Sequence, residues 1–159
     1  MSLEQRIQRL EDIAAIEKFK AEYALRTDLG RGDVMELFAD DAVLDAGPGF
    51  GVCTTKEEIA NFYRNLPINL PFCLHHIYNP SITIIDGSNA EATWLFRSEA
   101  IVGASSKAVV MCGHYYDEYV KIAGEWKYKT VKTRLFYASE PSKGWAEQRW
   151  VFPGIYEMK

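Results

Sequence analysis

No stretch of about 18 consecutive apolar residues, the length a membrane-spanning helix needs, occurs in this 159-residue chain. Its opening, Met-Ser-Leu-Glu-Gln-Arg, is charged where a secretory signal would be apolar, so a soluble, cytoplasmic protein with no membrane partner is expected. Cysteine is scarce. Cys53, Cys73 and Cys112 are odd in number, widely spaced and free of any Cys-x-x-Cys pattern, which argues against a disulfide framework. They are expected to be reduced, small, largely buried residues. Glycine-rich phosphate loops, dinucleotide fingerprints and Gly-x-Ser-x-Gly elbows are all missing, which removes nucleotide cofactors from consideration. The three histidines do not fall in a His-Glu-x-x-His or similar ligand motif, so no metal and no other cofactor is expected. Positive charge is also in short supply. Eighteen Lys and Arg stand against 22 Asp and Glu, a net charge of -4 with no basic cluster, which argues against nucleic acid as a partner.

What the chain does have is apolar and aromatic mass, 48% and 13% of its residues. A single domain of this length buries roughly 68–70% of the surface its unfolded form exposes, enough for a core with an enclosed pocket. Apolar residues at Leu3, Ile7, Leu10, Ile13, Ile16, Phe19 and Tyr23 predict a one-sided helix from Leu3 to Arg26, broken by Asp28-Leu-Gly-Arg-Gly32. Capping-box pairs Asp33/Glu36 and Thr55/Glu58 open two further helices, one running to Ala39 and the other stopped by Pro67. Strands are expected over Asp41 to Ala46, Phe50 to Cys53, Phe72 to Asn79, Ser81 to Asp86, Asn89 to Val102, Ala108 to Ile122 and Glu125 to Tyr137. Such long strands must twist and curve. The fold class is therefore α+β: a cone-shaped α+β barrel, a strongly curved antiparallel or mixed sheet closed by about three N-terminal helices around an apolar pocket. This domain spans residues 1–138. The tail 139–159, with Trp145, Trp150, Phe152 and Tyr156, is too apolar to hang free and should dock on its own domain or on a partner subunit.

The chemistry-bearing residues cluster around Phe72-Cys-Leu-His-His-Ile-Tyr-Asn-Pro80. Alternation puts Cys73, His75, Ile77 and Asn79 on one face and Leu74, His76 and Tyr78 on the other, so one histidine at most points into the cone. Which one is left open. In a later strand His114 shares a face with Val110, Cys112, Tyr116 and Glu118, opposite Met111, Gly113, Tyr115 and Asp117, and its neighbours make it a second candidate for the interior. A carboxylate beside a buried imidazole orients the ring and stabilises the imidazolium, which makes Asp28 a candidate partner as well as a turn residue. Tyr23 is a core residue or a hydroxyl donor into the cavity, and Arg134 a solvated strand residue or a positive charge for a substrate oxygen. Ser98, Cys112, Trp94 and His76 complete the candidate lining.

Tyr23-Ala-Leu-Arg-Thr-Asp28, Asp33-Val-Met-Glu-Leu-Phe-Ala-Asp-Asp-Ala42, His75-His-Ile-Tyr-Asn-Pro80 and Gly113-His-Tyr-Tyr-Asp-Glu-Tyr119 with Gly124-Glu-Trp-Lys127 resemble the SnoaL-like branch of the nuclear-transport-factor-2-like superfamily. The resemblance runs from about Leu3 to Tyr137, and the patterns most alike are those of the scytalone dehydratase, hexachlorocyclohexane dehydrochlorinase and bile-acid dehydratase families. It implies that Asp28 pairs with His75 rather than His76, that His114 is a second catalytic histidine, and that Tyr23 and Arg134 line the pocket. Ser98 stands where the bile-acid family carries an Asp, and the tail has no counterpart. The activity implied is a cofactor-independent lyase, dehydratase in type, on a mostly apolar cyclic or aromatic small molecule. An isomerase, a polyketide cyclase or a non-catalytic ligand-binding or subunit-pairing module are the alternatives. Tyr115 and Tyr119, taken as exposed on the long sheet, lead to the expectation of a homodimer or homotrimer.

Overall fold

The computed structural model describes residues 1–103 and 105–152; Tyr156 lies outside the described residues. The chain opens with α1, Leu3–Asp28, started by a reciprocal cap in which Gln5 N–H donates to Ser2 Oγ and Ser2 N–H to Gln5 Oε1. Its buried stripe is Asp12, Ile16, Lys20, Tyr23 and Thr27, residues three or four apart. Leu3, Ile7 and Leu10, expected on that stripe, are exposed, because burial against the sheet begins only at Asp12.

A 3₁₀ segment, Gly32–Leu37, replaces the short helix expected to reach Ala39, and β1 (Phe38–Asp45) and β2 (Val52–Cys53) follow. Helix α2, Lys56–Asn69, carries the Thr55/Glu58 capping box and runs past Pro67 for two more residues. The proline cannot donate to the preceding turn, yet Leu70 N–H still reaches Leu66 O at 2.7 Å. Then come β3 (Phe72–Ile84), β4 (Asn89–Val102), β5 (Lys107–Ile122), β6 (Glu125–Ser139) and the single turn α3 (Gly144–Glu147).

The sheet is six-stranded in the order β2-β1-β6-β5-β4-β3, with β1 parallel to β6 and every other pair antiparallel. It curves without closing through hydrogen bonds, so β2 and β3 are its edges. Where two strands are expected on either side of Pro80, there is one. The pairing steps from Tyr78↔Leu95 to Ser81↔Thr93, so Asn79, at φ +48°, and Pro80 form a bulge that absorbs the missing N–H and bends the strand.

The interior face of β5 is the reverse of the one expected. Met111, Gly113, Tyr115, Asp117 and Tyr119 face the core, and Cys112, His114, Tyr116 and Glu118 face outward. Tyr115 and Tyr119, only 4% and 1% exposed, therefore present no surface to a second subunit. The cause is α1. Phe19 and Tyr23 meet Tyr119 and Tyr115 edge to face, with ring centroids 5.7 and 6.3 Å apart, a packing that the alternate set, with Glu118 in it and one tyrosine fewer, could not supply. Gly113 is required on this face because a Cβ there would lie 2.0 Å from Arg134 O, at a register shift between β5 and β6.

Deeper in the cone the Lys20 ammonium and the Asp117 carboxylate meet at 2.7 Å, both almost wholly buried. Tyr119 O–H donates to Asp117, Trp94 Nε1–H donates to Tyr119, and Lys20 Nζ sits 3.7 Å from the centre of the Tyr115 ring. The tail lies on its own domain as far as it is described. Trp150 bridges to Ala138 in parallel, and the Phe152 ring packs on Phe50 at 5.3 Å. Among the described residues no helix is long and apolar enough to cross a membrane.

Candidate active site

Asp28 is the last residue of α1, and Gly30, in the left-handed region at φ +62°, turns the chain away immediately after it. Its carboxylate faces β3. There it accepts the His75 backbone N–H at 3.0 and 3.2 Å and meets His75 Nδ1 at 2.6 Å. With the backbone and ring bonds both made, the imidazole can rotate little, and its proton belongs on Nδ1. Nε2 is then the nitrogen left to accept a proton. Burial alone would push the imidazole pKa down, but the hydrogen bond it donates to Asp28 and the contact with Cys73 outweigh it and raise the pKa to about 9.

The ring looks into a narrow cavity of about 70 Å³ between α1, α2 and the concave face of the sheet. Phe62, Phe96, Met111 and Leu135 give it an apolar wall. Its polar atoms are few. Tyr63 O–H donates to Tyr23 Oη at 3.1 Å, which leaves the Tyr23 proton free, and burial raises the Tyr23 pKa to about 12, keeping that hydroxyl protonated. Ser98, directly opposite His75 across β3 and β4, is fully buried, and its Oγ has no partner among the described residues. Cys73, one alternation before His75, places Sγ 3.8 and 3.9 Å from the two ring nitrogens. A second cavity of about 150 Å³ shares Thr27, Tyr63 and Cys73 with the first, and a groove of about 590 Å³ shares Phe50, Phe62 and Leu66.

The structure thus brings Asp28, His75, Tyr23 and Ser98 together and sends five other candidates elsewhere. His76, on the opposite side of β3, pairs with Glu99 at 2.8 Å and stacks on Tyr78. His114 is on the outer face against Phe136 and Tyr116, because Tyr115 takes the inward position. Arg134 is also outside, held to Asp45 at 2.6 Å across β1 and β6. Cys112 shares the outer face of β5. Trp94 points inward but is tied into the Lys20–Asp117 network rather than lining the cavity. Tyr63 and Cys73, both lining residues, were legible only as parts of an apolar helix face and an alternating strand; Tyr115 follows from the reversed face of β5.

Asp28, Cys73 and His75 each offer a donor atom within 4.8 Å of the others, a composition that zinc accepts. The Asp28 to Nδ1 separation of 2.6 Å fits a shared proton instead, since donors around a tetrahedral zinc stand about 3.3 Å apart.

The sequence pattern of the SnoaL-like domain matches residues 8–132. Three solved structures share the architecture. A protein from Novosphingobium aromaticivorans DSM 12444 named for scytalone dehydratase is 20% identical, with 96% of this chain and 99% of that one covered and a TM-score of 0.78. The hexachlorocyclohexane dehydrochlorinase LinA-type3 of Novosphingobium barchaimii LL02 is 16% identical over 97% and 99%, with a TM-score of 0.77. A second N. aromaticivorans protein, named for an aromatic ring hydroxylase, is 24% identical over 82% and 93%, with a TM-score of 0.75. At these identities the three speak to the fold. The family match over most of the chain shows that it belongs to the SnoaL-like domain family.

Proposed function

We propose that this protein is a lyase of the dehydratase type, removing water from a mostly apolar, single-ring carbonyl compound by proton transfer alone. The observation that carries the reading is the Asp28–His75 pair at 2.6 Å, set at the wall of a cavity that is otherwise almost entirely apolar. The names of two structural relatives, a dehydratase and a dehydrochlorinase, denote loss of water and of hydrogen chloride, both eliminations, and so support the same class. Size supports one ring. A cavity of about 150 Å³ holds benzene; the second cavity has that volume, and it shares Thr27, Tyr63 and Cys73 with the smaller space of about 70 Å³ at His75.

In this scheme His75 Nε2 takes the proton from the carbon next to the carbonyl, and Asp28 stabilises the imidazolium. The free O–H groups of Tyr23 and Ser98 hold the carbonyl oxygen as charge builds on it. The proton held on Nε2 then goes to the departing hydroxyl, which leaves as water and returns the ring to neutral. His114 and Arg134, lying outside, take no part.

A set of cyclic β-hydroxy ketones followed by mass spectrometry tests the reading, because elimination lowers the product mass by one water and isomerisation leaves it unchanged. A product of unchanged mass overturns the proposal. The raised imidazole sets the pH dependence. Only neutral His75 accepts a proton, so kcat/KM should climb about tenfold per pH unit and level off near 9. Stability should move the other way. The folded pKa, about 9, exceeds the unfolded value of about 6.5, so the His75 contribution is complete below pH 6.5 and disappears as pH rises through 9. Urea unfolding should register a loss of about 3 kcal/mol across that window, absent in His75→Gln.

A further inference from the structure

We infer that Cys73 is a nucleophile of this cavity, and that the site takes α,β-unsaturated carbonyl compounds as covalent ligands through addition of its thiol to the conjugated double bond. Three features of the site converge on this. Cys73 and His75 share one face of β3, with Sγ 3.9 Å from Nε2, the nitrogen that Asp28 leaves free. The thiol lines both the 70 Å³ and the 150 Å³ cavities, so a ligand in either can reach it. The third feature is independent of the cysteine. Ser98 Oγ, fully buried on the strand opposite His75, is a hydroxyl in the cavity wall with no partner among the described residues, and a ligand oxygen there would satisfy it.

The chemistry closes without an oxidant or reductant. Nε2 takes the thiol proton, and sulfur attacks the carbon β to the carbonyl to form a C–S bond. The π pair of the double bond moves toward the α-carbon and the carbonyl oxygen, where Ser98 and Tyr23 O–H groups face the charge. The imidazolium then delivers its proton to the α-carbon, leaving a saturated ketone on sulfur. The addition uses the same imidazole as the proposed elimination but none of its turnover. Its link to catalysis rests on the lyase reading: dehydration of a β-hydroxy ketone yields this class of compound, so the site would be slowly closed by its own product.

The test uses the full chain and 2-cyclohexen-1-one, followed by intact mass and peptide mapping. One equivalent should add at Cys73, with Cys53 and Cys112 at least about tenfold slower. Cys73→Ser should remove the adduct. His75→Gln, shown to be folded by its thermal melt, should slow labelling of Cys73 by about tenfold or more. Ser98→Ala, which deletes a hydroxyl that has no partner among the described residues, should slow it severalfold and serves where the histidine variant does not fold. Equal labelling of all three cysteines, or a Cys73 rate unchanged by both variants, overturns the inference. A protein that eliminates water but is never labelled at Cys73 overturns this inference alone. Labelling at Cys73 with no turnover on any β-hydroxy ketone overturns the lyase reading and leaves this one standing.

Discussion

Asp28→Asn is expected to lower kcat/KM for the elimination by about 10²–10⁴, and His75→Ala by at least as much. The asparagine is the more informative of the two. With its oxygen at the Oδ1 position it can still accept from Nδ1, but its NH2 then stands at Oδ2 against the His75 backbone N–H, donor facing donor; flipped, the NH2 faces Nδ1 instead. The ring therefore loses either its anchor or its tautomer, and in both cases the negative charge that stabilises the imidazolium is gone. The variant should show a displaced pH profile as well as a lower rate, with the rise in kcat/KM ending well below the value of about 9 that the carboxylate sustains. Circular dichroism and a thermal melt establish that the variant is folded. Activity within a factor of three of wild type, with an unmoved profile, would rule the dyad out.

The largest effect on stability is expected away from the site, at the buried Lys20–Asp117 pair. Burial pushes the Lys20 pKa down and the Asp117 pKa up, each toward its neutral form, and the 2.7 Å contact opposes both shifts. Taking away one partner leaves the other without its compensation. Asp117→Asn should cost about 3–5 kcal/mol in urea unfolding, because the Lys20 ammonium then stays buried among aromatic rings with a neutral amide in place of its counter-charge. Lys20→Met combined with Asp117→Leu should recover most of that loss, since an apolar pair of similar volume carries no charge to desolvate. A single variant costing under 1 kcal/mol would show that water or another group reaches the pair. The same network holds Tyr115 through the ring face beneath Lys20, so its loss should loosen the cavity wall too.

Much of the fold can be read from periodicity, and the reasons for the exceptions are physical. Capping boxes and the long alternating runs locate α2, β4, β5 and β6 within a few residues. Alternation has a built-in symmetry, however. It sorts β5 into two sets but does not say which set is inside; both contain apolar residues, and the decision falls to Phe19 and Tyr23 of α1. His114 follows its set outward. At β3 the residues alone could not separate His75 from His76, and the preference for His75 came from family resemblance, not from composition. Lys20 and Asp12, both buried, read from the sequence as charges on a solvated helix face, because their partners Asp117 and Lys121 lie about 100 residues away. Tyr63 passes as one more apolar residue of α2 until its hydroxyl is seen against Tyr23.

The position of β3 at the end of the sheet gives the Asp28 carboxylate a further role. An edge strand offers outward-facing backbone groups to any extended segment that comes alongside, the usual start of intermolecular strand pairing. Here the outward N–H of His75 is already taken by Asp28, and Arg9, from the same helix, reaches Ile84 O near the far end of the strand. Helix α1 thus shields this border of the sheet from association, and the group that orients the imidazole is also one of its guards. Substitutions at Asp28 consequently act on colloidal behaviour as well as on chemistry, through a single backbone N–H set free on the sheet's edge.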